Sequence, residues 1–225
     1  MAERRATTPP ALLDLPFRGR WRAEMSPAKR VPSHGTDLFG ITYAIDFVAV
    51  DGRGRSAPRT WRTWLSSEPA EAFAGFGQPI LAPVAGTVVA VHDGEPDHVG
   101  RRSPLTLVPY MLGQAARVRA GIDAIAGNHV VIAMRPSGPF VGLVHLRRAS
   151  VRVAMGDVVA VGDQLAECGN SGNSTEPCVH LQVTDSIDWH VARGIPMAFR
   201  SYRSMTTGAT VRDGMPREGE IVEPV

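Results

Sequence analysis

Short apolar segments separated by turn-forming glycine and aspartate pairs recur along most of the chain, and this spacing constrains the fold more than any other feature. The segments TYAIDFVAV, NHVVIAMR and FVGLVHL are rich in β-branched or aromatic residues. The 23 glycines and 18 prolines suit many tight turns. Many short strands with frequent turn signals are typical of a β-sandwich or barrel. We therefore predict an all-β fold.

The pattern divides the 225 residues into one main domain with two flanking pieces. Residues 1–30 are basic, contain proline and are weakly periodic, which predicts an N-terminal arm. Residues 31–200 carry the predicted strands, and residues 95–127 interrupt them as an insertion with a short helix. Residues 201–225 are polar and rich in glycine and proline, which predicts a loose C-terminal tail.

Charge and composition exclude several classes of function. The 24 basic and 22 acidic residues give a net charge of +2, without the basic excess of a nucleic-acid-binding domain. No run of eighteen apolar residues exists, so no membrane span is predicted. The first residues lack the apolar core of a signal peptide. As written, the sequence predicts a cytoplasmic protein, whereas a missing leader would make it a secreted or cell-wall protein.

Three residues have the chemistry of a metal site. Asp46 lies between Ile45 and Phe47 on an apolar strand, where an ionised carboxylate is costly unless it is paired or bound to a cation. His34 precedes this strand, and His180 opens the strand VHLQVTD. Zinc accepts imidazole nitrogen and carboxylate oxygen, and a catalytic zinc site keeps three protein ligands.

The residues alone leave other interpretations open. Asp46 is also explained by a solvent-facing position or by a salt bridge to an arginine. Asp37 follows His34 by three residues and is a rival ligand, although it lies in a predicted loop. His145, in the strand FVGLVHL, is explained either as a core histidine or as a general acid or base beside the metal.

A longer block of sequence resembles a known family. The segment from His145 to Val183 has, in order, a strand ending in His-Leu, two Gly-Asp turns, the loop GNSGNS and a closing strand with His180. Upstream, SHG, YAIDF, PILAPVAGTVVAVHDG and GNHVVIAM occur in the matching order. These blocks, which cover about residues 31–185, resemble the lysostaphin/LytM-type zinc endopeptidases.

This resemblance implies a β-sandwich of the duplicated hybrid motif type with short helical insertions. It implies that His34, Asp46 and His180 bind Zn²⁺ and that His145 is one of two catalytic histidines. It also implies hydrolysis of peptide bonds, commonly those of peptidoglycan cross-links. The substrate partner would be a peptide or a peptidoglycan-like polymer, and the oligomeric state is left open.

The sequence departs from the family pattern at one catalytic position. The family commonly ends with a His-x-His pair, but this chain has Cys178 before His180. Cys178 could occupy the second catalytic position, bind zinc as a thiolate, or form a disulfide with Cys168. The alternative to an active peptidase is a non-catalytic relative that keeps the fold and the zinc and binds a partner or cell-wall fragment. A lipoyl or biotinyl carrier is disfavoured because the only lysine is Lys29.

Overall fold

A computed structural model describes residues 9–58 and 61–225, with all of their side chains except those of Arg62 and Ala115. The first eight residues of the predicted arm lie outside the described residues. The strands in chain order are β1 (Ala11–Leu13), β2 (Trp21–Glu24), β3 (Ile45–Ala49), β4 (Pro79–Leu81), β5 (Gly86–His92), β6 (Asn128–Ala133), β7 (Phe140–Leu146), β8 (Val158–Val159), β9 (Gln164–Glu167), β10 (Val179–Thr184), β11 (Met197–Ser204), β12 (Thr210–Gly214) and β13 (Ile221–Glu223).

Most of these strands form a single sheet. Its strand order is β1-β11-β13-β2-β3-β10-β7-β6-β5-β8, and β12 pairs with β11 beside this path. Strands β4 and β9 form a separate two-stranded sheet. Every pairing is antiparallel except that of β1 with β11. The predicted all-β class is therefore confirmed.

The main core lies between one face of the large sheet and the small sheet. Ile45, Leu143 and Leu181 of the central strands are fully buried in it, and Ile80 and Leu165 of the small sheet belong to the same cluster. Because side chains alternate along a strand, the residues between these core positions face the other side of the large sheet. Burial on one side thereby fixes which polar residues meet on the other side.

The flanking segments differ from the predicted arm and loose tail. Within residues 9–30, β1 pairs with β11 and β2 pairs with both β3 and β13. Beyond residue 200, β11, β12 and β13 are paired strands, and Tyr202 and Val222 are buried in the main core. Strands β1, β2 and β13 have only three or four residues and show little periodicity, and β1 and β2 pair with strands from the C-terminal end of the chain.

The predicted insertion contains three short helices, α1 (Pro104–Leu112), α2 (Gln114–Ala120) and α3 (Ile122–Ala126). Ser103 caps the N-terminus of α1, and its hydroxyl accepts a hydrogen bond from the backbone N–H of Leu105. In the described part of the chain, 3-10 helices cover Leu38–Tyr43, Trp61–Trp64 and Ala70–Ala72. Among the described residues, no helix has the length and apolar character needed to cross a membrane.

We predict that Leu143→Ala lowers the free energy of unfolding by about 2–5 kcal/mol, because it leaves a cavity in the core shared by the two sheets. Leu112→Ala in α1 is the matched control, since that side chain is 81% exposed and its truncation is expected to change stability by less than about 0.5 kcal/mol. Urea denaturation measures both values. Equal losses in the two variants would contradict this description of the core.

Candidate metal centre

Two adjacent strands place Asp46 and His180 side by side. Ile45 and Phe47 point into the main core, so Asp46 between them faces the opposite side of the sheet. On β10, Val179 and Leu181 point into the core, and His180 faces the same side as Asp46. The antiparallel register makes His180 the direct partner of Asp46, which brings an imidazole and a carboxylate together across the pair.

His34 reaches this pair from the loop before the first 3-10 helix. The loop is held by Ser33, a buried residue whose backbone N–H donates to the carbonyl of Thr42 at 3.0 Å. The predicted strand over residues 42–50 is shorter in the structure, because Leu38–Tyr43 forms a 3-10 helix and β3 begins at Ile45. That helix turns the chain back, so His34 lies over β3 despite the twelve-residue separation from Asp46.

The three side chains converge on one point. Asp46 Oδ1 lies 2.8 Å from His180 Nδ1, and Asp46 Oδ2 lies 3.3 Å from His34 Nε2. One donor atom from each of these residues lies within 4.8 Å of the other two. Among the described residues, this is the one group of three or more histidine, cysteine or acidic side chains with such spacing. Asp37, the rival ligand, is exposed and accepts a hydrogen bond from the Thr42 hydroxyl instead.

The outer nitrogen of His34 is engaged by Ser33. The Ser33 hydroxyl donates to the carbonyl of Ile41 at 3.2 Å and lies 3.0 Å from His34 Nδ1. Because its single proton is used on Ile41, this hydroxyl accepts a hydrogen bond from Nδ1–H. With Nδ1 engaged by Ser33, Nε2, which lies 3.3 Å from Asp46 Oδ2, is the nitrogen that would bind a metal ion.

The outer nitrogen of His180 is engaged by Gln182 in the same way. The Gln182 amide donates to the carbonyl of Phe39 at 3.1 Å, which directs its oxygen Oε1 to His180 Nε2 at 3.0 Å. Oε1 only accepts, so Nε2 carries a proton, and Nδ1, which lies 2.8 Å from Asp46 Oδ1, is the nitrogen that would bind a metal ion. Hydrogen bonds of this kind orient metal-binding histidines. The donor set therefore fits a divalent metal ion.

His34, His180 and Glu24 determine the electrostatic surroundings of Asp46. Burial by itself would raise the pKa of Asp46, but His34 and His180 outweigh it and hold this pKa well below its ordinary value of 3.8. Asp46 is therefore an anion at neutral pH. Glu24, its partner on β2, has a raised pKa, chiefly because of burial, although a hydrogen bond from Arg22 opposes this effect.

His145 also faces the candidate metal centre, against the simple alternation of its strand. That alternation would place His145 with Leu143 in the core, but both Leu143 and Leu146 occupy the core. His145 adopts a φ of +64° beside a register shift between β6 and β7, which redirects its side chain to within 5.9 Å of the His180 ring, measured between centroids. Its Nδ1–H donates to the carbonyl of Ser171 at 2.9 Å, so Nε2 carries a lone pair.

The two cysteines are buried free thiols, and no disulfide joins them. Cys178 Sγ lies 3.3 Å from the Ser174 hydroxyl and is not a member of the three-residue group around Asp46. Burial, reinforced by the charge of Asp46, raises the pKa of Cys178 well above its ordinary value. The neutral thiol is therefore the stable form of Cys178 in this structure.

Sequence reasoning singled out the residues that meet here but missed those that orient them. His34, Asp46, His180 and His145 lie together on one face of the sheet, and Cys178 precedes His180 by two residues. Gln182 could have been found, because it shares a strand face with His180. The roles of Ser33 and Ser171 depend on loop geometry, for which the sequence contains no periodic signal.

Comparisons with known proteins agree with the motif analysis. Residues 112–191 match the model of peptidase family M23. The lysostaphin catalytic domain from Staphylococcus simulans is 18% identical, with 68% of this chain and 74% of that chain covered and a TM-score of 0.37. A mutant catalytic domain of the prophage-encoded M23 protein EnpA from Enterococcus faecalis is 18% identical, with coverage of 84% and 90% and a TM-score of 0.39.

A third solved structure is that of pseudoalterin, described as an M23 metalloprotease from the deep sea. It is 13% identical, with 95% of this chain and 97% of that chain covered and a TM-score of 0.45. The matched segment 112–191 contains His145, the loop GNSGNS and His180. The resemblance of this chain to the lysostaphin/LytM-type peptidases is thereby confirmed as a match to peptidase family M23 over residues 112–191.

Proposed function

We propose that this protein is a zinc-dependent metalloendopeptidase that hydrolyses peptide bonds of the kind found in peptidoglycan. The observation that carries the proposal is the convergence of His34 Nε2, Asp46 and His180 Nδ1. Each imidazole is already oriented from its far side, by Ser33 and Gln182 respectively. The family match over residues 112–191 supports the reaction class.

His34, Asp46 and His180 would hold the zinc ion. A bound zinc ion supplies Lewis-acid polarisation of a carbonyl and activation of water at neutral pH. Two imidazoles and one carboxylate match the ligand types of catalytic zinc sites, which keep a further position for water or substrate. The carboxylate brings one negative charge, so the ligand set leaves a net positive charge at the ion.

His145 is suited to accept a proton during the reaction. Its hydrogen bond to the Ser171 carbonyl fixes the proton on Nδ1 and leaves Nε2 as the base. Burial, with the neighbouring His180 as a second cause, lowers the pKa of His145 to about 4. The ring is therefore neutral near neutral pH, and Nε2 is unprotonated. We propose His145 as the general base.

Cys178 gives a second candidate function a specific basis. The position that the family pattern assigns to a catalytic histidine holds a buried thiol with a raised pKa, which is a poor donor to a developing negative charge. A zinc-binding protein that recognises cell-wall peptides without cleaving them would tolerate this residue. The peptidase would cleave its peptide and the binding protein would not, but both would bind zinc.

We predict that the zinc-loaded protein cleaves a pentaglycine peptide and that Asp46→Ala lowers the rate by at least about 100-fold. Loss of an orienting residue alone typically costs about 10–100-fold in affinity or activity, and Asp46 is a proposed ligand. Asp37→Ala is the matched control, because Asp37 is exposed and outside the group. Chromatography of the peptide products measures the rate.

Cys178→His separates the two candidate functions in the same assay. If the chain is a peptidase weakened by its cysteine, the variant cleaves faster than the wild type. If neither the zinc-loaded wild type nor zinc-loaded Cys178→His cleaves the peptide, hydrolysis is contradicted and the binding function is favoured.

The lowered pKa of His145 predicts a pH dependence of stability in the zinc-free protein. In the unfolded chain this residue takes up a proton near its ordinary pKa of 6.5, but in the folded chain only near pH 4. The unfolded state binds more protons between these values, so the free energy of unfolding falls as pH falls from 6.5 to 4. The His145 contribution is on the order of 3 kcal/mol.

Denaturation curves of zinc-free wild type and His145→Gln over this pH range test the prediction. Gln keeps a hydrogen-bond donor near the Ser171 carbonyl but does not titrate, so its stability should fall less steeply than that of the wild type. Parallel curves for the two proteins between pH 6.5 and 4 would show that His145 is not a buried neutral imidazole.

A further inference from the structure

We propose that an arginine-lined cavity beside the metal centre binds a carboxylate of the peptide substrate. This inference rests on the proposed peptidase function and names the class of peptide that the site takes. The cavity, here called the arginine cavity, has a volume of about 310 Å³. Its charged lining residues are Arg22, Arg55, Arg101, Arg102 and Glu176.

The strand register places the arginine cavity next to the metal centre. Glu24 on β2 is the antiparallel partner of Asp46, so both side chains lie on one face of the sheet. Arg22 precedes Glu24 by two residues and lies on that face as well. Glu176, which also lines the cavity, lies in the loop before β10, four residues before His180. A peptide bound across the metal centre would therefore extend into the arginine cavity.

Three of the four arginines are anchored by acidic partners. Arg22 binds Glu24 Oε1 at 2.7 Å and lies 3.9 Å from Glu176. The guanidinium of Arg55 binds Asp51 at 3.0 Å. Arg102 binds the buried carboxylate of Glu68 through two nitrogens, at 2.5 and 2.8 Å. These ion pairs fix the positions of the three arginine side chains and neutralise much of their positive charge.

Arg101 differs from the other three. Within the described part of the chain, no carboxylate lies at ion-pair distance from it. One of its nitrogens donates to the carbonyl of Val99 at 3.1 Å, and its guanidinium lies 4.3 Å from the centre of the Tyr110 ring. The stacking fixes the plane of the guanidinium, while several of its five N–H donors stay available to a ligand.

The composition of the lining selects an acceptor-rich group. Glu176 is the one carboxylate among the lining residues, and it is engaged by the Ser56 hydroxyl at 2.6 Å and faces Arg22. A planar guanidinium binds a carboxylate with two parallel hydrogen bonds, whereas a neutral amide satisfies only one acceptor position. Leu107 of α1 adds an apolar wall for the carbon stem of an acidic side chain.

This assignment also gives the insertion a role. Arg101, Arg102 and Leu107 all belong to residues 95–127, which contribute nothing to the three-residue group at the metal centre. The insertion thus builds one wall of a substrate subsite and determines which peptides fit there.

Calorimetric titration of the zinc-free full chain tests the proposal without depending on turnover. The probes are the pentapeptides Gly-Gly-Glu-Gly-Gly and Gly-Gly-Gln-Gly-Gly with blocked ends, and tetraglycine as the free acid and as the amide. The first pair tests a side-chain carboxylate and the second a terminal carboxylate. We expect one acidic probe to bind about tenfold more tightly than its amide, the scale of a charge-assisted hydrogen bond.

The Arg101→Gln variant should lose this preference for the acid, and Arg101→Lys should keep part of it. Arg212→Gln is the matched control, because Arg212 is exposed on β12 and does not line the cavity. Thermal melting of each variant verifies that it is folded. A preference that survives Arg101→Gln, or equal binding of acid and amide in both pairs, overturns the proposal.

Inorganic phosphate is the remaining probe. If phosphate binds more tightly than either acidic peptide and depends on Arg101, the ligand is a phosphate and the carboxylate assignment is wrong. Failure of the proposed function has a different signature, since an acid preference without pentaglycine cleavage contradicts hydrolysis alone. Cleavage without any acid preference contradicts only the arginine cavity as a substrate subsite.

Discussion

The carboxylate of Asp46 is an ionised group on the inner part of a large sheet, and it must be compensated. Burial there favours the neutral acid, yet two imidazoles hold the pKa of Asp46 far below its usual range. The arrangement requires His34 and His180 to stand at fixed positions on either side of one carboxylate. The 3-10 helix over Leu38–Tyr43, the register of β3 with β10, and the hydrogen bonds of Ser33 and Gln182 all serve this requirement.

The two faces of the large sheet carry different kinds of residue. One face of its central strands packs against the β4–β9 sheet and supplies the apolar core. The other face carries the histidines, Asp46 and Gln182, with Glu24 and Arg22 continuing the polar surface over β2. Segments from both ends of the chain extend the sheet, whereas the insertion adds the wall that carries Arg101. If the arginine cavity is the proposed peptide subsite, changes to the insertion would alter peptide binding.

Part of this architecture could be predicted from the sequence. The strands β3, β6, β7 and β10 were predicted from short segments rich in β-branched or aromatic residues. The order of the motifs brought His34, Asp46 and His180 into one set. The orientation of His145 could not be predicted, because a positive φ and a register shift reverse the side that alternation assigns to it. The strands β1, β2 and β13 were missed because they are short and pair with strands from the opposite end of the chain.

The arginine cavity could not be predicted from the sequence, because it also depends on contacts between distant segments. Its residues come from β2, the loop after β3, the insertion and the loop before β10, which no local pattern connects. The availability of Arg101 is visible only after the partners of its three neighbours have been identified. Cys178, by contrast, was visible in the sequence as a departure from the family pattern, and the structure adds its burial and its contact with Ser174.

The most direct test of the central claim is the X-ray absorption spectrum of the zinc-loaded protein at the zinc edge. We expect a first shell of only nitrogen and oxygen scatterers at about 2.0–2.2 Å, from two imidazoles, one carboxylate and solvent. The His180→Ala variant should lose stoichiometric zinc. A sulfur scatterer at about 2.3 Å would place the Cys178 thiolate on the ion, and failure of the wild type to retain zinc would contradict the metal centre itself.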